Sequence, residues 1–526
     1  MPDMGTARSE SGVTLAEVAT AIALASDLGL GQPVEHVLRS TVIASRLGET
    51  VQVSDAHRTA TYWTTLFVTV GCTGQSYELA QLFGDDIELR RGTYRSSPSD
   101  LGQLAFYLGQ AGRGRSLVQR TLLRADLLRT RMRPVEESLV AHARVSAQLA
   151  GAAGLGDDVV DALEYTFTRW DGKGLPSGVA GSEIPLPMRL AALCDTVEVA
   201  HREGGLQAAQ ALAKATSGTW FDPELVAAWA SQASELHADL GDAATWESVV
   251  KAEPSACRAL SLEELATALE LVGSYADLKS PWFSGHSAAV SDLAGRAAEL
   301  AGLPPGEVLR LRRAALLHGL GRSGVPNSIW DKPGPLSSSE WERVRLYPYY
   351  TDRVLRRIPG LADLAPIASS VHECMNGAGY PRGIGGDTIP LLGRYLAAAH
   401  RYLAAAHRYR VLVSDRPHRP GVTEAEAGRV LRLAAQAGEL DATAVDAVLA
   451  ASGQPGRRSP SAPAGLTPRE IEVLGLAARG FTTKHIAHEL GMATKTAGNH
   501  IERIYTKIDA SSRAEATLFA MRNGIV

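Results

Sequence analysis

The 526-residue sequence contains few cysteines, and the four that occur lie far apart at Cys72, Cys194, Cys257 and Cys374. None of them belongs to a CxxC pair, so the sequence offers neither a zinc ribbon nor a framework of disulfide bonds. Four isolated thiols are typical of a protein that is kept in a reducing compartment.

Long apolar runs are also missing. No stretch of about 18 uncharged apolar residues occurs, and the first apolar segment is interrupted by Glu17 and Asp27. The N-terminal sequence MPDMGTARSE has no apolar centre of the kind found in signal peptides. We therefore expect a chain without a membrane span that is located in the cytoplasm.

Patterns typical of β-strands are scarce, since no convincing run of alternating apolar and polar residues is present. From residue 13 onward, apolar side chains recur at three- and four-residue spacing, which predicts helices almost throughout. Hydrophobic residues make up 45% of the chain, enough for large cores, and 526 residues are too many for one compact domain. The sequence therefore predicts an all-α protein of about three domains.

The net charge of −4 is small, but it is distributed unevenly. Residues 466–526 carry eight Lys and Arg against six Asp and Glu, a net charge of +2, so the rest of the chain carries −6. An acidic body with a mildly basic end suits a sensor joined to a nucleic-acid reader better than a protein that wraps nucleic acid along its whole length.

The basic end, residues 466–526, contains four short helical patterns separated by turn signals. Thr467 and Glu470 have the spacing of a capping box at the start of the first helix. The second helix closes at Gly491, and a third is predicted from about 494 to 507. Two short helices around a glycine-containing turn are typical of a motif that inserts its second helix into the DNA major groove.

This end of the chain resembles the helix-turn-helix domain of LuxR/FixJ-type transcriptional regulators over its whole length, through LTPRE, ARG, KT, NH and IY at matching positions. The resemblance implies that Lys and Arg side chains contact phosphates while Thr496, Asn499 and His500 reach base edges. The DNA-facing set that it implies is Lys484, Lys495, Thr496, Asn499, His500, Arg503 and Lys507. The alternative is a four-helix module that only docks other proteins.

Two positions depart from the LuxR pattern. Ala493 stands where the family usually has a capping serine, and Ala497 where it usually has valine. Loss of the cap costs about 1 kcal/mol unless Thr494 takes over the role. We therefore expect a recognition helix that is less stable at its start.

The chain in front of this domain repeats itself. DGKGLPSGVAGSEIPLPMRLAALCD at 171–195 matches NGAGYPRGIGGDTIPLLGRYLAAAH at 376–400 with an offset of 205. The span from His36 to Gly71 corresponds to that from His286 to Gly321 with an offset of 250, so the first copy holds a longer insertion. The expected organisation is two homologous helical domains at 10–250 and 255–450, a flexible Pro/Gly/Ser-rich linker at 452–465 and the DNA-binding domain at 466–526.

The second copy carries His286 together with LLHGLGRSGVP at 316–326, WDKPGPLSSSEWERVRLYP at 330–348 and VHECMNGAGYPRG at 371–383. These segments resemble an HD-GYP-type phosphohydrolase domain of the HD superfamily. The resemblance implies a helical bundle in which His and Asp side chains hold divalent metals, commonly iron or manganese. Such metals activate water against a phosphodiester, typically a cyclic dinucleotide.

The second copy departs from this family where the chemistry lies. Gly319 replaces the Asp expected beside His318, Arg322 replaces the usual Lys, and Tyr347 replaces a His. Val371 occupies the first position of an expected His-His pair, and a late Asp ligand is replaced by His400. Because RYLAAAHRYLAAAH at 394–407 is a tandem repeat, His407 competes for that last position. The vestigial metal candidates are therefore His286, His318, His372, His400 and His407.

The first copy is altered differently. His36, His142 and Asp195 fall at ligand positions, but the His-Asp pair has become Val68-Thr69. Neither copy keeps the bridging carboxylate together with its neighbouring histidines. We therefore expect no catalytic residues and no cofactor, with a residual divalent metal in the second copy as the exception, against the alternative that these histidines only line the core or a cavity.

Together the two resemblances imply a DNA-binding transcriptional regulator in which the degenerate HD-GYP-like domains act as a sensor or dimerisation platform. Expected partners are double-stranded DNA, a second copy of the chain, and a nucleotide or small-molecule ligand, with no membrane.

An apolar stripe on the last helix predicts either the pairing surface of that dimer or packing within one module. The main alternative is a metal-dependent phosphohydrolase, a cyclic-dinucleotide phosphodiesterase with a DNA-binding output domain, and a third is a scaffold that binds proteins. The stripe consists of Ala514, Leu518 and Met521.

Overall fold

The computed structural model describes residues 10–241, 246, 248–250, 252–254, 258–406, 424–452 and 463–526. His407, Cys257 and most of the expected linker at 452–465 lie outside these residues. Within the described chain the structure is helical apart from one short pair of strands, which confirms the predicted all-α class. None of its helices combines the length and the apolar character needed to cross a bilayer.

The first half of the described chain starts with a strand and continues as helices of varied length. These elements are β1 (Glu10–Thr14), α1 (Leu15–Leu30), α2 (His36–Thr50), α3 (Asp55–Phe67), α4 (Ser76–Phe83), α5 (Asp86–Thr93), α6 (Asp100–Gln110), α7 (Leu117–Arg129), α8 (Arg133–Ala152), α9 (Asp157–Leu163), α10 (Leu186–Thr216) and α11 (Pro223–Leu236). The long helix α10 changes direction at Gly205, whose φ of 74° lies in the left-handed region that glycine tolerates.

The second half repeats the strand-then-helices order. Its elements are β2 (Ala259–Ser261), α12 (Leu262–Asp277), α13 (His286–Leu300), α14 (Pro305–Leu317), α15 (Asn327–Trp330), α16 (Ser338–Arg345), α17 (Tyr347–Arg356), α18 (Ala365–Ala368), α19 (Leu391–Ala406), α20 (Glu424–Gln436) and α21 (Ala442–Ser452).

The C-terminal region contains the four predicted helices, and their order confirms the helix-turn-helix arrangement. They are α22 (Pro468–Ala478), α23 (Thr483–Glu489), α24 (Thr494–Ile508) and α25 (Arg513–Arg522). Their inward side chains, among them Val473, Ile486, Ala497 and Ile504, form an apolar core of their own.

The two strands were not foreseen. β1 and β2 pair antiparallel, and each runs directly into a helix that starts with a capping box. The hydroxyl of Thr14 accepts from the Glu17 amide at 3.2 Å, and that of Ser261 accepts from the Glu264 amide at 3.2 Å. Strands this short show no recognisable alternating pattern in the sequence. They pair because the tertiary fold brings the starts of α1 and α12 together.

Equivalent helices of the two halves begin at the predicted offsets. α2 starts at His36 and α13 at His286, 250 positions later, while α10 starts at Leu186 and α19 at Leu391, 205 positions later. This is the arrangement that a duplication would produce, and the duplication itself stays a prediction.

Each half also fixes the start of its first histidine-bearing helix in the same way. A carboxylate oxygen of Asp27 accepts from the Val37 amide at 3.1 Å, and one of Asp277 accepts from the Ser287 amide at 2.7 Å. Both carboxylates are fully buried and come from the preceding helix. The first turns of α2 and α13 are therefore anchored to α1 and α12.

The two halves share one apolar core, and a buried polar cluster joins them. The ammonium of Lys279 donates to the carboxylate of Asp86 at 2.8 Å, and the guanidinium of Arg90 donates to the same carboxylate at 2.8 Å. The second oxygen of Asp86 accepts from the Asn327 amide at 2.8 Å. A lysine can be buried this completely because it is paired, and the cluster ties α5 of the first half to the second half.

The last helix of the DNA-binding region packs against the body. Leu518 is fully buried and, with Ala514, belongs to the apolar core of the two halves. The guanidinium of Arg513 lies 5.6 Å from the ring centre of Tyr77 in α4. In this structure the body covers the predicted stripe, and pairing of two chains through it stays a prediction.

Candidate functional site

Three histidines meet in the interior of the second half. His286 begins α13, His318 directly follows α14, and His400 lies within α19. All three are buried, and one ring nitrogen of each lies within 4.8 Å of the others. The Nε2 atom of His286 and the Nδ1 atom of His400 are 3.0 Å apart. The structure therefore brings together three of the five predicted histidines.

A fully buried arginine lies beside this triad. One Nη2 hydrogen of Arg322 is donated to Nε2 of His318 at 2.7 Å, and Nη1 donates to Asp277 at 3.1 Å. The guanidinium also lies 4.3 Å from the ring centre of Phe283. A Cβ atom on Gly319 would come within 2.9 Å of Nη1 of Arg322. Gly319 therefore leaves the space that the guanidinium fills.

The fourth histidine, His372, is bound by a residue that replaces another expected histidine. The hydroxyl of Tyr347 and Nε2 of His372 are 2.7 Å apart. The imidazole stacks on the ring of Tyr380 at 4.7 Å between centres and meets His400 edge-on at 5.0 Å. His372 therefore stands next to the triad, at the wall of the adjoining cavity, rather than within it.

Burial keeps the imidazoles of His318, His372 and His400 neutral. It lowers the pKa of His318 and of His400 well below the usual value, with the charge of Arg322 acting in the same direction. Burial together with the charges of Arg401 and Arg322 lowers the pKa of His372 to about 3. The proton of neutral His318 lies on Nδ1, because Nδ1 is 2.5 Å from the carbonyl oxygen of Ala315 while Nε2 accepts from the arginine.

A cavity of about 580 Å³ opens from His372 and His400 towards the surface. Its wall combines aromatic rings with cations and carboxylates, and one of these cations, Arg401, donates to Glu439 at 2.6 Å. A mixed apolar and charged lining of this size suits a small organic ligand with polar groups. The residues that give it this character are Trp341, Arg345, Tyr380, Arg401 and Glu439.

A divalent metal does not fit the triad as it is arranged. A metal ligand must present a lone pair, and both ring nitrogens of His318 are already used by Arg322 and by the carbonyl of Ala315. The cluster of three histidines contains no carboxylate that would offset the charge of a metal, whereas a guanidinium lies directly beside it. The spacing of the three imidazoles is compatible with a metal, but their hydrogen bonding is not.

The predicted ligand residues of the first half form an ion-pair cluster instead. The Nε2 atom of His36 lies 3.0 Å from Asp195, and its Nδ1 atom lies 2.5 Å from Glu198. Glu198 also accepts from Arg39 at 2.7 Å. Burial alone would lower the pKa of His36, but the two carboxylates raise it to about 10. The imidazole is therefore a cation, which cannot ligate a metal.

His142 is separated from this cluster. Its Nε2 atom lies 2.7 Å from the carbonyl oxygen of Val68, and its Nδ1 atom lies 3.2 Å from the side-chain amide of Gln75. Burial lowers its pKa to about 4. Within the described residues, no group of three metal-ligating side chains is found in the first half.

The C-terminal region carries the seven residues that the resemblance implies to face DNA, and this assignment stays a prediction. All but one of the seven implied DNA-facing residues are exposed, and His500 is half-buried. Lys484 lies on α23, and the other six lie on α24. Ala497 and Ile504 of α24 face the core, so the opposite face of this helix is open to solvent.

Two features of α24 modify that surface. Its N-cap residue Ala493 makes no side-chain capping bond, and Thr494 is the first residue of the helix rather than its cap. The ammonium of Lys507 donates to the carboxylate of Glu470 at 2.7 Å. The carboxylate of Glu470 therefore competes with a DNA phosphate for the ammonium of Lys507.

Several residues that shape these sites were not foreseen. The ion pair of Arg322 with Asp277 and the hydrogen bond that His36 donates to Glu198 join positions that lie 45 and 162 residues apart in sequence. Only the unusual arginine at position 322 carried a signal, as a departure from the family pattern. The carboxylates could not be found from spacing, because they reach the sites through packing of separate helices.

Comparisons with known proteins match the second half of the body and the C-terminal region. The HD domain family matches residues 270–444, and the luxR family of bacterial regulatory proteins matches residues 464–520. The 3'3'-cGAMP-specific phosphodiesterase 3 of Vibrio cholerae is 29% identical over 418 residues, which cover 77% of this chain and 87% of that protein. A cyclic di-GMP phosphodiesterase of Thermotoga maritima is 34% identical over 160 residues, which cover 30% of this chain and 41% of that protein.

A solved structure extends the likeness to the fold. A crystal structure of a cyclic GMP-AMP specific phosphodiesterase of V. cholerae has a TM-score of 0.57 and 25% identity, covering 84% of this chain and 99% of its own. The alignment with the V. cholerae phosphodiesterase 3 spans 418 residues, far more than the residues 270–444 that match the HD domain family. This alignment therefore includes much of the first half of the chain. The chain therefore carries an HD domain at residues 270–444 and a luxR-family regulatory domain at residues 464–520.

Proposed function

We propose that the protein is a transcriptional regulator that binds DNA through its luxR-family domain and uses the body as a ligand-responsive platform. The observation that carries the proposal is the exposed cationic and polar face of α24, presented by a folded helix-turn-helix. Lys495 and Arg503 on this face suit phosphates, while Asn499 suits the edge of an adenine.

The packing of α25 supports a role for the body in regulation. Leu518 and Ala514 are covered by the body, so a dimer that pairs through this helix requires the domain to leave the body first. Binding of a ligand or protein to the body can shift that equilibrium if it favours one arrangement over the other. We therefore propose that the body controls when two DNA-binding domains pair on two half-sites.

We further propose a domain organisation of two homologous helical domains at 10–250 and 255–450, joined to the DNA-binding domain by the segment 452–465. Support comes from the matching starts of α2 and α13 and of α10 and α19. The shared apolar core and the buried Lys279–Asp86 pair support a single body built from these two domains.

For the ligand, we propose a nucleotide that occupies the cavity beside His372 and His400. Two observations support it: relatives of this chain are phosphodiesterases named for cyclic dinucleotides, and the cavity has aromatic rings together with Arg345 and Arg401. Aromatic rings stack on bases, and guanidinium groups bind phosphates. The body of this protein would then bind such a molecule without cleaving it.

DNA binding is tested with the full chain by selection from a pool of random duplexes. We expect enrichment of a sequence with two half-sites and an affinity that falls steeply with salt. Lys495→Ala and His500→Ala should weaken binding, whereas Lys214→Ala, which removes an exposed lysine of the body, should not. An unenriched pool, or equal affinity in all three variants, contradicts the proposal.

The main alternative is a metal-dependent phosphohydrolase with a DNA-binding output domain. It requires turnover of 3'3'-cGAMP or cyclic di-GMP in the presence of manganese or iron, whereas our proposal requires binding to the full chain without turnover. Calorimetry with each dinucleotide, followed by analysis of the products, separates the two. Binding of neither dinucleotide rejects the proposed ligand and leaves DNA binding to its own test.

A further inference from the structure

The second domain contains a buried cation at the place where its family would hold metal. The guanidinium of Arg322 bonds to His318 on one side and to Asp277 on the other. One cation thus lies directly beside the cluster of His286, His318 and His400.

Two substitutions make this arrangement possible. Arg322 stands where the HD-GYP pattern usually has lysine, and Gly319 stands where it has a metal-binding aspartate. Any side chain at position 319 would place a Cβ atom 2.9 Å from Nη1 and 3.1 Å from Cζ of Arg322. Because the backbone of Gly319 is not in the left-handed region, with φ of −85°, its conformation does not require glycine. The reason for a glycine here is instead the guanidinium of Arg322, which would have to shift to admit a Cβ atom.

We propose that Arg322 is a built-in cation that replaces the metal of the second domain, with Gly319 as the residue that admits it. The guanidinium holds the Nδ1-protonated form of His318 and links α12 to the loop after α14. The domain can then assemble its cavity without a metal. Removing the guanidinium leaves three imidazoles at ligand spacing, which is a donor set for a divalent transition metal.

The test is a titration of the metal-free full chain with Co²⁺, followed by visible absorption and by the metal content per chain. Arg322→Met removes the charge and keeps much of the side-chain volume. We expect this variant to bind cobalt roughly 10- to 100-fold more tightly than the unmodified protein. The added binding should disappear in Arg322→Met/His318→Ala, and Arg356→Met, a change of an exposed arginine, should leave cobalt binding unaltered. Equal binding by the unmodified protein and Arg322→Met overturns the proposal.

A double-mutant cycle tests the role of Gly319 without any metal. Gly319→Ala should lower the Tm of the unmodified protein, because its Cβ meets the guanidinium, and should lower it much less in the Arg322→Met background. Equal losses in the two backgrounds would show that Gly319 does not serve Arg322.

A measurement on the unmodified chain keeps the proposal testable if Arg322→Met does not fold. The ¹⁵N chemical shifts of His318 should report a protonated Nδ1 and a hydrogen-bonded Nε2, and they should not change when Zn²⁺ is added. A proton on Nε2, or a shift of Nε2 upon addition of zinc, overturns the proposal.

Discussion

His36 provides the most quantitative prediction, because the structure makes it a buried cation rather than a metal ligand. Its pKa is about 10 in the folded protein against an ordinary value of 6.5. A group that holds its proton more tightly in the folded state stabilises the fold fully below about pH 6.5, and this contribution is lost as the pH rises through about 10. The difference corresponds to roughly 4 kcal/mol at pH 7 and roughly 1.4 kcal/mol at pH 9.

The perturbation is His36→Gln, which keeps polar atoms near Asp195 and Glu198 but cannot carry a charge. We expect the free energy of unfolding to fall by several kcal/mol at pH 7, because both carboxylates lose a cation that lies within 3.0 Å. Arg39 and Arg202 still bind Glu198, which limits the loss. The gap between the unmodified protein and the variant should narrow by about 2.5 kcal/mol between pH 7 and pH 9.

The assay is urea unfolding followed by circular dichroism at several values between pH 6 and pH 9.5. His57→Gln is the matched control, since His57 is exposed and its replacement should change stability little at any pH. A constant gap between His36→Gln and the unmodified protein across this range would refute the assignment of a protonated imidazole. A gap that grows with pH would indicate a neutral His36, as a metal ligand requires.

Three further predictions concern the body, the recognition helix and the contact between them. Lys279→Met should destabilise the body by about 3–5 kcal/mol, because it leaves the buried carboxylate of Asp86 with one cation fewer. Thermal unfolding measures this loss, and an unchanged Tm would contradict the prediction. Ala493→Ser should add a capping bond and stabilise the DNA-binding domain by about 1 kcal/mol, and a lower Tm would show that the serine does not cap. Tyr77→Ala removes the ring beside Arg513 and so weakens the contact that holds the DNA-binding domain against the body. The DNA affinity of the full chain, measured by fluorescence anisotropy, should rise by about 2- to 5-fold. Unchanged affinity would argue against release of the domain as the controlling step.

The local features of the DNA-binding domain followed from its sequence. Thr467 and Glu470 form the predicted capping box, with the Glu470 amide donating to the hydroxyl at 3.2 Å. The missing cap at Ala493 could be foreseen as well. Such features depend on residues within one or two helical turns, so a short segment of sequence is enough to predict them.

The histidines of the second half were only partly predictable. The family pattern selected His286, His318 and His400, and helix packing brought them within 4.8 Å of one another. The same pattern did not show that His372 would bond to Tyr347 instead. A ligand set depends on distances between helices, which residue spacing along the chain does not specify.

The sequence by itself determined the helical class, the helix-turn-helix and the departures from the phosphohydrolase pattern, because periodicity, caps and motifs are local. Tertiary structure alone decided what those departures do. In the folded chain Arg322 lies between His318 and Asp277, His36 is a cation between two carboxylates, and Leu518 packs against the body. Each outcome arises where burial brings charges or apolar surfaces from distant segments together, since only there do desolvation and pairing act on the same groups.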